Sequence, residues 1–197
     1  MIQFREIPKC ISVANRIISR TNAQNDWRYE LGKPMVMLSV KRIQKIMYLC
    51  QLFAFMENTE SNMIPEDFVA WANGPAVPEL YDYWLVSHEG YMNPYPNTKY
   101  QLSEEEKEII NIVVDNTIDI HTETIIDFIQ NSQVPWKETF KTPFSPYSVI
   151  SKESIKQFIS KEESQIELFE FIKKEKDKQE KEEFTKKLTP PRNTGNK

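Results

Sequence analysis

Two residue types in this chain could support metal or nucleophilic chemistry, but their spacing favours neither. The histidines, His88 and His121, lie far apart, and neither is paired with a cysteine at metal-ligand spacing. The cysteines, Cys10 and Cys50, fall at apolar positions of helical patterns, which is typical of small buried side chains in a reducing compartment. The sequence therefore predicts surface or satisfied histidines and buried thiols. The alternatives are a metal ligand, a disulfide and a reactive thiol.

The motifs that commonly bind phosphate or carry a nucleophile are also missing. The chain contains no G-x-x-x-x-G-K-[ST], no G-x-G-x-x-G and no G-x-S-x-G. The acidic run Glu104 to Glu106 is better explained by the positive end of a helix dipole than by paired-carboxylate catalysis. We therefore expect no catalytic residue, no cofactor and no bound metal.

Composition narrows the choice of partners. The chain has 197 residues and a net charge of -4, which gives no reason to expect binding to nucleic acid or to an anionic membrane. Its start, "MIQFREIPKC", lacks the apolar run of a secretory signal. The most apolar segment, "IMYLCQLFAFM", is shorter than the roughly 20 residues needed to span a bilayer. We expect a cytoplasmic protein.

The most unusual segment is "EDFVAWANGPAVPELYDYWL", residues 66–85, which combines aromatic residues with a stiffened backbone. The chain has only four glycines, and Gly74 is placed here between Asn73 and Pro75. Asn-Gly favours a turn with positive φ, whereas Pro75 and Pro78 fix φ near −65°. The sequence predicts a short extended element at 66–72, then a rigid turn that leads into a helix.

Two interpretations of this segment stay open. Large aromatic side chains mostly serve packing, so Trp71, Tyr81 and Trp84 can simply fill the core. Alternatively, the turn presents a preorganised aromatic edge to a protein partner, where Trp and Tyr often dominate the binding energy. Both can hold if buried faces build the core while the outer edge binds.

Hydrophobic periodicity places helices on both sides of this segment. A first helix is predicted over 6–21, followed by a polar connection over 21–34. Ser39 is predicted to cap a central helix that ends near Glu57 to Asn62. Further helices are predicted after a capping box of Ser103 and Glu106, over 122–131, and after Ser151.

The composition changes after Ser160. Residues 161–188 interleave both signs of charge, which favours a helical arm, and their apolar residues cluster in "IELFEFI". That cluster is too apolar for water and is expected to dock on the domain or on a partner. We hypothesise a partner-binding helix laid in a groove. Residues 189–197 are predicted to be disordered.

The expected fold is thus mainly α. It consists of one compact helical domain over 1–160, a short β element near 66–72, a helical arm over 161–188 and a tail over 189–197.

The residues of the central helix and the turn resemble a known family, the Panacea domain, or SocA-like antitoxin domain, also described as phage-associated. The first helix of this family has the sequence pattern L-x-K-L-x-K-L-x-Y-x-x-Q. The strongest sequence signature of the family has the pattern F-x-A-W-x-x-G-P-V-V-P-x-V-Y. The residues that match the helix are Val40, Arg42, Ile43, Lys45, Ile46, Tyr48 and Gln51; those that match the signature are Phe68, Ala70, Trp71, Gly74, Pro75, Val77, Pro78 and Tyr81.

Weaker blocks follow in the family's order and extend the resemblance over roughly 5–160. They are "LSEEEKEIINIVVDN", "VPWKETF" with its Pro135-Trp136, and "ISKESIKQFI". Asn131 and Gln133 stand where the family commonly has a His and a Glu. A role that depends on a titrating side chain there is therefore not expected in this chain.

The resemblance implies an antitoxin that inactivates a cognate protein toxin by direct binding, without catalysis. The family's toxins include nucleotide- or tRNA-modifying enzymes. An alternative role is a proteolytic adaptor that delivers the bound toxin to an ATP-dependent protease, and a third is an enzyme with an unrecognised site. The predicted partner-binding residues are Trp71, Asn73, Gly74, Pro75, Val77, Pro78, Tyr81, Trp136, Phe169 and Ile172.

Overall fold

A computed structural model describes residues 7–87, 100–132, 135–141 and 148–188, which form eight helices and three short strands. The helices are α1 (Lys9–Glu30), α2 (Val40–Glu57), α3 (Pro78–Ser87), α4 (Glu104–Thr117), α5 (Thr122–Asn131), α6 (Pro135–Thr139), α7 (Lys152–Ile159) and α8 (Glu162–Leu188). The strands are β1 (Phe68–Trp71), β2 (Gly74–Ala76) and β3 (Val149–Ile150). The predicted mainly helical fold with an extended element inside 66–72 is confirmed. His88, Gln133 and the tail 189–197 lie outside the described residues.

Helix α2 is the centre of the fold. It is buried without interruption from Arg42 to Phe55, because α1, α4, α5, α7 and β2 pack around it. A helix that is apolar on nearly every side is expected to be enclosed in this way. Its predicted cap is confirmed, since the Ser39 hydroxyl accepts a hydrogen bond from the Arg42 amide at 3.1 Å.

A buried arginine on α2 holds the end of α4. The Arg42 guanidinium donates to the carbonyls of Thr117 and Ile120, each at 2.7 Å. Carbonyls at a helix C-terminus lack intrahelical partners, so this side chain satisfies groups that burial would otherwise leave orphaned. Burial lowers the pKa of Arg42 to about 10, which leaves it charged at neutral pH.

Helix α1 is longer than the sequence indicates, and the predicted polar connection over 21–34 is wrong in its first part. The helix continues to Glu30. The polar residues of this stretch serve the fold: the Asn25 amide donates to the Val36 carbonyl at 2.9 Å, and its oxygen accepts from the Val36 amide at 2.8 Å. Arg28 donates to the Pro34 carbonyl at 2.8 Å. Side chains of the helix thus hold the segment that follows it.

The small sheet is antiparallel, with strand order β2-β1-β3. Strands β1 and β2 form a tight hairpin in which Trp71 pairs with Gly74. On the other side, Phe68 pairs with Ile150 of β3. Only β1 was predicted. The sheet joins the aromatic-proline segment to a strand that lies about 80 residues further along the chain.

Several local predictions are confirmed. Ser103 and Glu106 form a capping box at the start of α4, and the Ser151 hydroxyl caps α7. Cys10 and Cys50 are free and buried, and burial raises the pKa of both thiols, so they remain protonated. No helix in the described ranges combines the length and apolarity that a membrane crossing requires.

Helix α8 packs on the domain through the apolar first half of its sequence. Leu168 and Ile172, one turn apart, are buried. The Phe171 ring stacks on Phe128 of α5 with the ring centroids 4.2 Å apart. Further along, Lys176 donates to the Asn116 side chain at 2.6 Å. Docking on the domain is thus observed, whereas the partner-binding role of this helix stays a prediction.

Candidate protein-interaction site

The turn between β1 and β2 is shaped by its glycine. Gly74 has a φ of +93°, which side chains with a Cβ rarely adopt, so the positive φ predicted from Asn73-Gly74 is confirmed. The turn folds back so tightly that β2 begins at Gly74 itself. Helix α3 begins at Pro78, where a missing N–H removes no helical hydrogen bond. The two prolines thus lie on either side of the buried residues Ala76 and Val77.

A buried lysine supports the turn from below. The Lys45 ammonium donates to the Pro75 carbonyl at 2.6 Å, and the side chain is almost fully buried. Burial, with a smaller contribution from the charge of Lys41, lowers the pKa of Lys45 to about 7. No carboxylate is paired with Lys45 in the described part of the chain. Its charge is therefore stabilised mainly by backbone carbonyl oxygen.

The neighbouring glutamine fixes the end of the turn. Nε2 of Gln44 donates to the Val77 carbonyl at 2.9 Å, and Oε1 accepts from the Val77 amide at 2.8 Å. One side-chain amide thus satisfies both polar groups of a buried residue, much as a neighbouring strand would.

The opposite side of the turn is held from α5 and α6. Nε1 of Trp136 donates to the Trp71 carbonyl at 2.8 Å, and Nε2 of Gln130 donates to the Ala72 carbonyl at 2.8 Å. Together with Gln44 and Lys45, four side chains from three helices donate to the backbone of residues 71–77. Because these bonds are distributed along the whole segment, the backbone of the turn is restrained from both sides.

An aromatic edge borders the turn. The rings of Trp71 and Tyr81 meet edge to face with centroids 5.3 Å apart, and Tyr81 stacks on Trp84 at 6.3 Å. All three side chains are half-buried, which is consistent with both interpretations of these residues. A cleft of about 280 Å³ opens beside them, and its walls include Asn73 and the stem of Lys41.

The predicted site residues divide by exposure. Asn73 and Phe169 are exposed, and Trp71, Pro78 and Tyr81 are half-buried. The remaining predicted residues are buried: Gly74, Pro75, Val77, Trp136 and Ile172. Burial limits these five to positioning the surface.

The predicted site residues also lie in two different parts of the structure. Trp136 lies at the turn through its bond to Trp71, so the structure brings these two together. Phe169 instead meets Phe53 of α2, with ring centroids 5.8 Å apart. Phe53 is eight residues beyond Lys45, roughly 12 Å along the helix axis. Phe169 and Ile172 therefore lie apart from the turn.

Three residues that build the turn were missed as site residues: Gln44, Lys45 and Gln130. The first two follow each other on a helix whose other residues are mostly apolar, and polar side chains on a buried face need specific partners. That conflict is the signal that could have identified them. Gln130 carries no comparable signal, because it lies half-buried near the end of α5.

A comparison with known protein families matches the part of the chain that contains the turn. Residues 43–137 match the antitoxin SocA-like Panacea domain. The resemblance seen in the helix and turn motifs is thereby confirmed over this range, which covers slightly less than half of the chain. Searches of curated proteins and of solved structures gave no match.

The matched range contains the turn and all of its supports. Gln44 and Lys45 lie just inside its start, and Gln130 and Trp136 just inside its end. Helices α1, α7 and α8 lie outside it. The Panacea match thus includes the segment that four side-chain donors hold in place.

Proposed function

We propose that this protein is an antitoxin that neutralises a cognate protein toxin by binding it directly at the turn between β1 and β2. The observation that carries this proposal is the set of four donors, Gln44, Lys45, Gln130 and Trp136, which fix the backbone of the turn beside a half-exposed aromatic edge. The antitoxin-like family of residues 43–137 supports the same function.

The physical reason is preorganisation. Ordering a loop on association costs free energy, so a surface whose backbone is already fixed binds with a smaller entropic loss. Half-exposed aromatic side chains next to such a surface supply large contact areas with few rotatable bonds. In this proposal Asn73, Trp71, Tyr81 and Pro78 contact the toxin directly. The buried residues of the turn hold them in register.

Neutralisation by binding is stoichiometric, which separates this proposal from an enzymatic function. Toxin activity should fall in proportion to added antitoxin and vanish near a fixed molar ratio. An enzyme would silence the toxin at a small fraction of that ratio. We infer that the toxin is itself an enzyme acting on nucleotides or tRNA, so the titration can follow its product directly.

The test is co-expression with the product of the neighbouring reading frame, with growth and co-purification as readouts. Wild-type protein should restore growth and retain the partner. Asn73→Arg places a long cation on the exposed tip of the turn and should abolish both, whereas Gln157→Arg on the exposed surface of α7 should abolish neither. Equal behaviour of the two variants at equal Tm would refute the turn as the binding site. Loss of toxin protein only when an ATP-dependent protease is present would instead favour an adaptor.

The prediction for α8 needs a separate variant. Deleting the helix would expose Phe128 and would confound binding with stability. Phe169→Ala is cleaner, because this side chain is half exposed. If α8 contributes to toxin binding, the variant should retain less partner while its Tm falls by no more than about 5 °C.

A further inference from the structure

A second cleft lies at the far end of α2, away from the turn. It runs between the last turns of α2 and the start of α4 and has a volume of about 710 Å³. Its lining residues are mainly apolar side chains and glutamates of these two helices. We call this cleft the α2–α4 groove. Glu57 is twelve residues beyond Lys45, roughly 18 Å along the helix axis, so the groove and the turn are distinct surfaces.

The floor of the groove is apolar. Phe53 comes from α2, and Ile109 and Ile112 follow each other at helical spacing on α4. Ile112 is 41% exposed, which is high for an isoleucine beside a core. Phe169 of α8 extends this surface, because its ring packs on Phe53 and is still 51% exposed. Large apolar side chains that remain accessible together are typical of an interaction surface.

The walls of the groove are acidic. Five of the lining residues are glutamates, and none is a lysine or an arginine. The negative charges of two of these glutamates are compensated by ion pairs: Glu104 pairs with Lys107 at 2.6 Å, and Glu106 pairs with Lys9 at 2.5 Å. Glu57, Glu105 and Glu108 make no hydrogen bond or ion pair with the described residues. Glu108 is still partly compensated, because its charge, after that of Asp115, helps to raise the pKa of Arg20. The groove therefore combines an apolar floor with negative charge that is only partly compensated.

Helix stability explains only part of this charge. Glutamates in the first turn of α4 are favoured by the positive end of the helix dipole. Glu57 is in the opposite situation, since it ends α2, where the dipole disfavours an anion and no basic residue lies in the last turn. Glu108 lies beyond the first turn of α4. These two carboxylates thus add negative potential that neither helix needs.

We propose that the α2–α4 groove binds a cationic amphipathic helix of a protein partner. Apolar side chains of that helix, spaced three and four residues apart, lie on Phe53, Ile109 and Ile112. Its lysines or arginines meet Glu57, Glu105 and Glu108. The proposal concerns a surface other than the turn and does not require the partner to be a toxin.

The probe is a synthetic helix of about 15 residues with leucines on one face and lysines on the other, long enough to be helical when bound. Its binding to the full-length protein is followed by fluorescence anisotropy at low and moderate salt. A peptide with glutamate in place of every lysine is the reference. The lysine peptide should bind and weaken with salt, and the glutamate peptide should not bind.

Matched variants assign the binding to the groove. The triple change Glu57→Gln, Glu105→Gln and Glu108→Gln should weaken Kd about tenfold, equivalent to about 1.4 kcal/mol. The control triple at exposed sites, Glu30→Gln, Glu79→Gln and Glu153→Gln, removes the same net charge and should change Kd less than about twofold. Equal weakening by both triples would show attraction to net charge alone and overturn the proposal.

A second pair of variants tests the apolar floor of the groove. Ile112→Ser should weaken binding severalfold, whereas Val149→Ser, at a valine that is 49% exposed on β3, should not. Both sites are exposed, so folding should be retained, and Tm checks this. If sedimentation shows that the protein dimerises and that only Ile112→Ser abolishes the dimer, a second copy occupies the groove and the proposal is wrong.

Discussion

Gly74 lies directly over the side chain of Lys45: a Cβ atom built on this glycine would stand 3.2 Å from Cε and 3.3 Å from Nζ of the lysine. The glycine is therefore required for two reasons. Its φ of +93° is strained for any residue with a Cβ, and the Lys45 side chain beneath would have to shift by a few tenths of an ångström to admit one. Backbone conformation and side-chain packing thus select the same residue at the tip of the hairpin.

Substituting this glycine should cost more than conformational strain alone. Gly32 is the matched control, because its φ is +67° and a Cβ there would meet nothing within 4 Å. Gly32→Ala should lower the free energy of unfolding by about 1 kcal/mol, the usual cost of a left-handed non-glycine residue. Gly74→Ala should cost at least about 2 kcal/mol, because Lys45 must also move. Urea unfolding measures both, and equal costs would mean that Lys45 yields freely.

Gln44 should be as important to stability as a core residue. In Gln44→Leu the Val77 amide loses its partner while staying buried, and the Val77 carbonyl keeps only its long bond from the Tyr81 amide at 3.4 Å, which should together cost about 1–3 kcal/mol. Gln51 is a natural control further along α2, since its side chain bonds the Ile64 amide at 2.9 Å and the Ser61 carbonyl at 3.3 Å.

Hydrogen exchange distinguishes the two glutamines. Gln44→Leu should speed exchange of the Val77 amide and leave Ile64 protected, and Gln51→Leu should do the reverse. If either substitution accelerates both amides equally, the variants are unfolding globally and the local role of Gln44 is not supported.

The elements that sequence predicts well are those defined by local chemistry. Ser39, and Ser103 with Glu106, are capping residues followed by apolar periods, and Asn73-Gly74 requires a turn; all of these were found. Their physical cause lies within a few residues of the signal.

What could not be predicted depends on distant partners. The last third of α1 is mostly polar. Only the structure shows that the Asn25 side chain donates a hydrogen bond to the Val36 carbonyl and that Arg28 donates one to the Pro34 carbonyl. Strand β3 has two residues and is fixed by pairing with β1 far away in the chain. In the same way Gln130 is recognised as a support of the turn only through the Ala72 carbonyl that it reaches across the fold. For Lys45 the sequence signals a buried polar side chain, but the carbonyl that it binds is known only from the structure.

The buried lysine makes stability depend on pH. The pKa of Lys45 is lowered to about 7 in the fold, whereas an unfolded lysine has a pKa near 10.4. Between these values the unfolded chain binds a proton that the folded chain has released, so stability rises with pH. Lys152, whose pKa burial lowers to about 8, contributes with the same sign.

The buried thiols reverse this trend at higher pH. The pKa values of Cys10 and Cys50 are raised, so from about pH 9 only the unfolded thiols ionise, which offsets the contribution of the two lysines. Stability should therefore be greatest near about pH 9–10 and fall above it, where the unfolded lysines also lose their protons. Lys45→Met should flatten the rise between about pH 7 and 9 in urea unfolding, and the exposed Lys161→Met should leave it unchanged. A Lys45→Met profile parallel to that of the wild type would mean that Lys45 does not titrate in this range.

Neighbouring residues of α8 should respond in opposite ways to truncation, because only one of them faces the core. Leu168 is 1% exposed, so Leu168→Ala should leave a cavity that costs about 2–4 kcal/mol. Phe169 is 51% exposed and keeps mainly its edge contact with Phe53, so Phe169→Ala should cost under about 1.5 kcal/mol.

Trypsin cleavage provides a local readout of this difference, since Lys173 and Lys174 follow the two residues and are exposed. Leu168→Ala should release the end of α8 well before the wild type or Phe169→Ala does, because cleavage requires the helix to open. Equally rapid cleavage of all three proteins would mean that α8 does not dock stably on the domain in solution.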